Sequence, residues 1–222
     1  YIFSLVEETV NSHKNVLLLL SGGSALDVVN AFPEKMFSDK VTVGMLDERF
    51  ETDISANNFL QLKETKGYSF AVARGSHIVD SFPRENELLG EFAERIETAW
   101  KLWRVSNPEG KVFILQGIGP DGHTAGIMPY SQEDLLFEHL FINTRNWIIG
   151  YNAEHRNKYP LRATATFAFL KNEVDESAVY IVGEEKVTAL RSIFQEQGTL
   201  SKTPARILRE MKAVTIFTTN LV

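Results

Sequence analysis

The chain has no cysteine among its 222 residues. Disulfides, thiolate metal sites and cysteine nucleophiles are thereby excluded. No apolar run approaches the roughly 18–20 residues that a membrane-spanning helix needs. The visible start has no basic segment followed by a secretory apolar core, so the cytoplasm is the expected location. Positive charge is in the minority: 23 Lys and Arg against 29 Asp and Glu give a net charge of −6. Nucleic acid demands a broad basic face, and neither it nor a membrane is an expected partner. A small anionic ligand stays compatible, because a few converging cations and backbone amides suffice to hold one. Repeats, linkers and low-complexity stretches are also missing.

What is present is an ordinary globular composition, 44% hydrophobic and 23% charged, over a length that suits one α/β domain spanning 1–222. Val16–Leu20 is a continuous apolar run, the mark of a strand buried on both faces. A helical pattern follows over 25–37, interrupted at Pro33, and 41–46 reads as a second strand. Helical spacing recurs over 58–66, a short strand is expected within 70–78, and 85–105 is the longest helix. In that helix Leu88, Leu89, Phe92, Ile96, Ala99 and Trp103 follow the i, i+3, i+4, i+7 template. Strands are expected at 112–115, 146–152, 178–182 and 214–218, with a helix at 184–196. The stretch 164–170 fits either class. Strands separated by helical crossovers imply a largely parallel, open, Rossmann-like sheet with helices on both faces. Ligands of such sheets bind beyond the carboxyl ends of the strands.

Three unusual loops fall at such ends. Ser21-Gly22-Gly23-Ser24 offers close backbone approach and free N–H groups, which suits a phosphate or carboxylate. It lacks the Gly-Lys-Ser/Thr ending of a nucleotide-binding P-loop. Asp47-Glu48-Arg49 is either a solvated charged loop or part of a polar site. In the second case Arg49 would grip an anion, and Asp47 would face ligand hydroxyls or a proton-transfer step. Gly117-Ile118-Gly119-Pro120-Asp121-Gly122 has the glycine spacing of a dinucleotide fingerprint. That fingerprint needs a long helix from its third glycine, and Gly126 and Pro129 disfavour one. The sharper feature is Asp121-Gly122-His123. Histidine is the side chain best suited to take and return a proton near neutral pH, and Asp121 stands close enough in sequence to orient it. The other four histidines lack such a setting, so no metal site is expected. Arg162 and Lys186, each alone, read as surface cations.

In order, GGS, DER, GIGPDGHTA, Arg-x-Thr-x-Thr and Gly-x-x-Lys resemble the family of 6-phosphogluconolactonases and glucosamine-6-phosphate deaminases. The likeness runs from about Val16 to Thr218. It implies that Gly22, Gly23 and Ser24 cradle a phosphate with help from Arg162 and Lys186. It places Arg49 and Asp47 in the same pocket and Asp121 and His123 in the catalytic positions. Deaminases of the family carry Glu five residues after the motif histidine; here that residue is Met128, so the lactonase branch is implied. The expected ligand is a phosphorylated sugar lactone, with water activated by His123 and no metal or cofactor, on a monomer or small homo-oligomer. A non-catalytic sugar-phosphate-binding relative and a deaminase are the alternatives. Three departures stand out: Ala25-Leu26 replaces Thr-Pro after GGS, Gly126-Ile127-Met128-Pro129 replaces Ser-Leu-Phe-Pro, and the end Phe-Thr-Thr-Asn lacks an acidic residue. The lost hydroxyl at Ala25 is worth ~1 kcal/mol to a charged acceptor.

Overall fold

Five consecutive apolar residues serve a strand only if both of its faces are covered. In the computed structural model, which describes residues 1–219, Val16–Leu20 meets that condition. Leu17 and Leu19 enter the core on one face, while Val16, Leu18 and Leu20 enter the core on the other.

The first half of the chain forms α1 (Ile2–Asn11), β1 (Val16–Leu20), α2 (Ser24–Val29), β2 (Val41–Met45), β3 (Asp47–Arg49), α3 (Asn58–Lys63), α4 (Lys66–Ala73) and β4 (His77–Ile78). Then come α5 (Leu89–Ser106), β5 (Lys111–Gln116), α6 (Asp134–Phe137), β6 (Ile148–Asn152) and β7 (Leu161–Ala165). The last elements are α7 (Phe167–Asn172), β8 (Glu176–Ile181), α8 (Val187–Phe194) and β9 (Val214–Thr218).

Six strands make one parallel sheet in the order β4-β2-β1-β5-β8-β9. The winding runs outward in both directions from the β1–β5 pair. The loops after these two strands therefore border the crevice where open α/β sheets bind ligands. Residues of α1 to α4, such as Val6, Leu26, Phe59 and Ala71, cover one face. Residues of α5, α7 and α8, such as Ile96, Phe169 and Leu190, cover the other. Trp100 is fully buried there, with its ring centroid 4.6 Å from that of Phe169. Among the described residues no helix is long and apolar enough to cross a membrane. The final Asn220 of the unusual C-terminus lies outside the described residues.

The open parallel sheet with helices on both faces is as expected. A second, three-stranded antiparallel sheet, β3-β7-β6, was not. Asp47–Arg49 is a strand rather than a loop, setting Asp47 opposite Thr164 and Arg49 opposite Arg162. The ambiguous stretch 164–170 divides at Thr166, whose hydroxyl caps α7 by accepting from Phe169 N at 3.3 Å. The strand expected within 70–78 shrinks to His77–Ile78, because α4 extends to Ala73. Leu88 is 68% exposed and precedes α5 instead of joining the core. The helix expected over 184–196 opens with a 3-10 turn at Glu184–Lys186, so only Val187–Phe194 is α-helical.

One buried carboxyl ties the small sheet to α3 and to the segment after β4. Glu48 Oε1 accepts from Arg49 N at 2.8 Å and Asn58 N at 2.7 Å. Its Oε2 accepts from Phe59 N at 2.8 Å and the Ser81 hydroxyl at 3.1 Å. With Asn57 Oδ1 accepting from Leu60 N at 2.8 Å, the first three N–H groups of α3 all find partners, as helix starts require. Burial pushes the Glu48 carboxyl up to about 8, against the pull of its three backbone donors.

The raised value means the folded state holds this proton more tightly than the unfolded chain. That contribution to stability is complete below the usual carboxylate range and is lost as pH rises through about 8. Glu48→Gln should remove this pH-dependent component and, by turning an amide NH₂ toward one of the N–H donors, cost about 1–3 kcal/mol. Chemical denaturation of both proteins at several pH values measures both effects. Equal stabilities with equal pH slopes would refute the assigned role.

Candidate active site

The loops after β1 and β5 enclose a cavity of about 220 Å³ together with the ends of β3, β7 and the Gly183–Lys186 turn. All seven residues singled out in the sequence for ligand binding line it directly: Gly22, Gly23, Ser24, Asp47, Arg49, Arg162 and Lys186. His123 lines it as well. Asp121 does not; it stands behind the imidazole. The two cations that looked like surface residues are drawn inward. Arg162 is 4% exposed, and Lys186 Nζ lies 3.4 Å from Ser24 Oγ, which it can reach as a donor.

The Asp121-Gly122-His123 turn is built to fix one imidazole. His123 Nδ1 lies 2.5 Å from Asp121 Oδ1, and His123 N donates to the same oxygen at 3.1 Å. Burial works against the Asp121 charge. The side-chain hydrogen bond and the backbone N–H of His123 outweigh it, so the carboxyl titrates below its ordinary value. An ionised carboxylate only accepts. The proton of this bond therefore sits on Nδ1, and a neutral ring keeps its Nε2 lone pair for other work. Gly119 makes room: a Cβ there would fall 2.1 Å from the His123 ring.

Other parts of the chain brace the turn. Ala205 N donates to Gly122 O at 2.9 Å, so the C-terminal Thr203-Pro204 segment holds its back. Beyond His123 the backbone enters the left-handed region at Ala125 (φ 48°) and Gly126 (φ 75°). Such a conformation is strained for a non-glycine residue and persists only when surroundings impose it. Here the Thr164 hydroxyl donates to Ala125 O, and the buried Tyr151 hydroxyl donates to Gly126 O at 2.5 Å. No long helix follows Gly122, so the glycine spacing does not make a dinucleotide site.

The opposite wall is charged. Arg162 Nη2 pairs with Asp47 Oδ2 at 2.9 Å, both residues being buried. Arg49 lies beside them, its guanidinium 5.0 Å from the Tyr159 ring centroid and its Nη1 donating to Ala56 O at 2.9 Å. Burial, then the like charge of Arg162, lowers the Arg49 value from its ordinary one. Two guanidiniums and an ammonium against one carboxylate make the cavity locally positive within a chain of net charge −6. Nε of both arginines is buried without a partner. Among the described residues, no group of three or more His, Asp or Glu is placed to hold a metal ion.

Ser21 opens the loop that the sequence singled out but was given no role of its own, and Asn58 was not singled out at all; both line the cavity. Nothing local separates Asn58 from Asn57; only the packing of α3 sends one to cap the helix and the other to the cavity. Of the departures from the family pattern, Gly126 lines the cavity, while the other substituted residues at 25–26 and 127–128 fall outside it. Ala25 and Leu26 are buried in the core beneath α2, and Ile127 and Met128 are buried in the core on the other face.

Comparison with known proteins agrees with this architecture. No curated protein matches the chain by sequence. The chain is similar in structure to a 6-phosphogluconolactonase from Shewanella baltica, with 20% identity and a TM-score of 0.76 over 98% of this chain and 89% of that one. It is similar to a 6-phosphogluconolactonase from Thermotoga maritima, with 22% identity and a TM-score of 0.70 over 97% and 90% of the two chains. A monomeric glucosamine-6-phosphate deaminase shares the fold at 16% identity and a TM-score of 0.61, over 97% and 90%. The sequence pattern of one family, described as glucosamine-6-phosphate isomerases/6-phosphogluconolactonase, matches residues 1–217, and the chain belongs to that family.

Proposed function

We propose that the protein hydrolyses 6-phosphoglucono-1,5-lactone to 6-phosphogluconate. The observation that carries this proposal is the shared cavity: an imidazole backed by a carboxylate at 2.5 Å faces the same space as Arg49, Arg162, Lys186 and a glycine loop. One end of the cavity suits proton transfer and the other suits a phosphate. The 6-phosphogluconolactonases of the same fold act as precedent for the substrate.

In the proposed reaction Gly22, Gly23 and Ser24 cradle the phosphate, with Arg162 and Lys186 supplying charge. Arg49 and Asp47 line the sugar between the two ends. A water molecule adds its oxygen to the lactone carbonyl carbon while His123 Nε2 takes one of its protons. The resulting oxyanion collapses and breaks the bond to the ring oxygen, which receives the proton back from His123. The product is a carboxylic acid that then ionises, and the open chain carries the new hydroxyl. Asp121 steadies the transient imidazolium. The sequence uses no metal, cofactor or covalent intermediate. The phosphate is remote from the reacting carbon, so its binding energy serves orientation.

A deaminase would need an acid group where Met128 stands, and that side chain is buried in the core. Loss of catalysis through Ala25 also finds no support, since Ala25 is packed away from the cavity.

Freshly generated 6-phosphogluconolactone should be hydrolysed well above its spontaneous rate, and the unphosphorylated lactone should not. Absence of turnover with the phosphorylated lactone would overturn the proposal. His123→Ala should lower kcat by about 10²–10⁴-fold, the usual worth of a positioned acid–base, with affinity for 6-phosphogluconate nearly unchanged by calorimetry. Lys186→Ala should leave kcat within a few-fold but weaken that affinity by about 10- to 100-fold, as expected for a charge-assisted contact. Undiminished affinity would remove Lys186 from the phosphate site.

A further inference from the structure

Three polar side chains of the cavity can only donate. Arg49, Arg162 and Lys186 offer N–H groups, which suits phosphate oxygens. Asp47 is drawn to Arg162, and Ser24 Oγ faces Lys186. Two buried oxygens are different. Asn58 Oδ1 and Ser21 Oγ have no hydrogen-bond partner, although the residues are only 1% and 6% exposed. Both residues line the cavity.

The orientation of the Asn58 carboxamide is fixed. Its Nδ2 donates to Asp47 O at 3.0 Å, and a flipped amide would set two oxygens face to face. Oδ1 is thus left as an acceptor over the phosphate loop. A Cβ on Gly22 would lie 2.2 Å from it, so the glycine is also the residue that lets this oxygen approach. A buried acceptor without a donor costs free energy and recurs in proteins mainly where something else completes it. A fully ionised phosphate has no proton to give. A hydroxyl does.

We propose that Asn58, assisted by Ser21, forms a hydroxyl-recognition subsite beside the phosphate loop, selecting a polyhydroxylated sugar phosphate over other phosphate monoesters. This rests on the lactonase reading for the ligand class and adds a specificity-determining pair that neither the catalytic turn nor the cationic wall supplies. Asn58 Oδ1 accepts from one ring or chain hydroxyl of the ligand, and the Ser21 hydroxyl completes the same network. Donor-only cations fix the phosphate, and this acceptor pair fixes which sugar carries it.

The test is a cycle of variants against ligands. Binding of 6-phosphogluconate and of its monodeoxy analogues is measured by calorimetry on the wild type, Asn58→Ala and Ser21→Ala. On the wild type, one analogue should bind about tenfold more weakly than the parent, the usual worth of one hydrogen bond. On Asn58→Ala the parent should weaken by a similar factor, and its advantage over that one analogue should vanish. The other analogues should keep their ratios to the parent. Ser21→Ala, a one-atom change, should shrink the same advantage, and it carries the test should Asn58→Ala fail to fold. An equal loss for the parent and every analogue would mean that Asn58 only supports the loop, and would overturn the inference alone. Failure of the wild type to bind 6-phosphogluconate would overturn the lactonase reading and this inference with it.

Discussion

The site depends on the pairing of β3 with β7. That antiparallel contact places Asp47 and Arg162, 115 positions apart in the chain, in a buried ion pair at 2.9 Å. Such pairs seldom add net stability, because desolvation consumes most of the attraction. What this one provides is placement. It holds a guanidinium in the cavity wall next to a second one, and Arg49 feels the like charge of its neighbour. The ligand-free cavity therefore carries an excess of positive charge that an anion relieves. Under the proposed function, binding of a phosphate is then favourable for the fold as well as for the ligand, since whatever binds only the native state stabilises it.

β7 also explains why the Arg-x-Thr-x-Thr segment has its spacing. In a strand, alternate residues share a face, so Arg162 and Thr164 project together. Arg162 reaches Asp47, and Thr164 donates to Ala125 O in the loop that follows His123. Thr166, just past the strand, caps α7 and donates to Asn146 O at 2.6 Å. One short segment thus secures the cationic wall, the loop after His123 and the next helix. Its pattern is visible in the sequence, but its meaning requires knowing that the segment is a strand, and five residues with two threonines fit helix or strand equally.

Legibility divides along that line. The parallel sheet could be read because a doubly buried strand leaves a continuous apolar run, as in Val16–Leu20 and the strand around Phe113. The loops at the switch point could be read because glycine clusters after such runs have few other uses. The small antiparallel sheet could not, because β3 consists of three charged residues whose burial depends on partners far away. Glu48 is the extreme case: it looks like a solvated acid and is the buried clamp of α3. Asn58 was hidden for a similar reason, since its place in the cavity is set by the helix that Glu48 anchors. The departures at Ala25-Leu26 and Ile127-Met128 looked like threats to the site, but burial of all four side chains in the two cores turns them into packing choices.

The braces around His123 follow a single logic. In the proposed reaction His123 is the general base, and such a base is useful only if its free nitrogen is already directed at the place where water must stand, because reorienting it during reaction would add to the barrier. Asp121 fixes the tautomer and Gly119 admits the ring. Ala205, Thr164 and Tyr151 hold the backbone on either side. These contacts come from β6, β7 and the C-terminal segment, none of which supplies the base itself. The strain at Ala125 is then intelligible as a consequence of closing a tight loop around a fixed imidazole, with the cost met by the packing of a sheet that Asp121 and His123 never enter. Precision at one histidine requires the whole second sheet, which is why the loop motif alone, without β6 and β7, would not make a site.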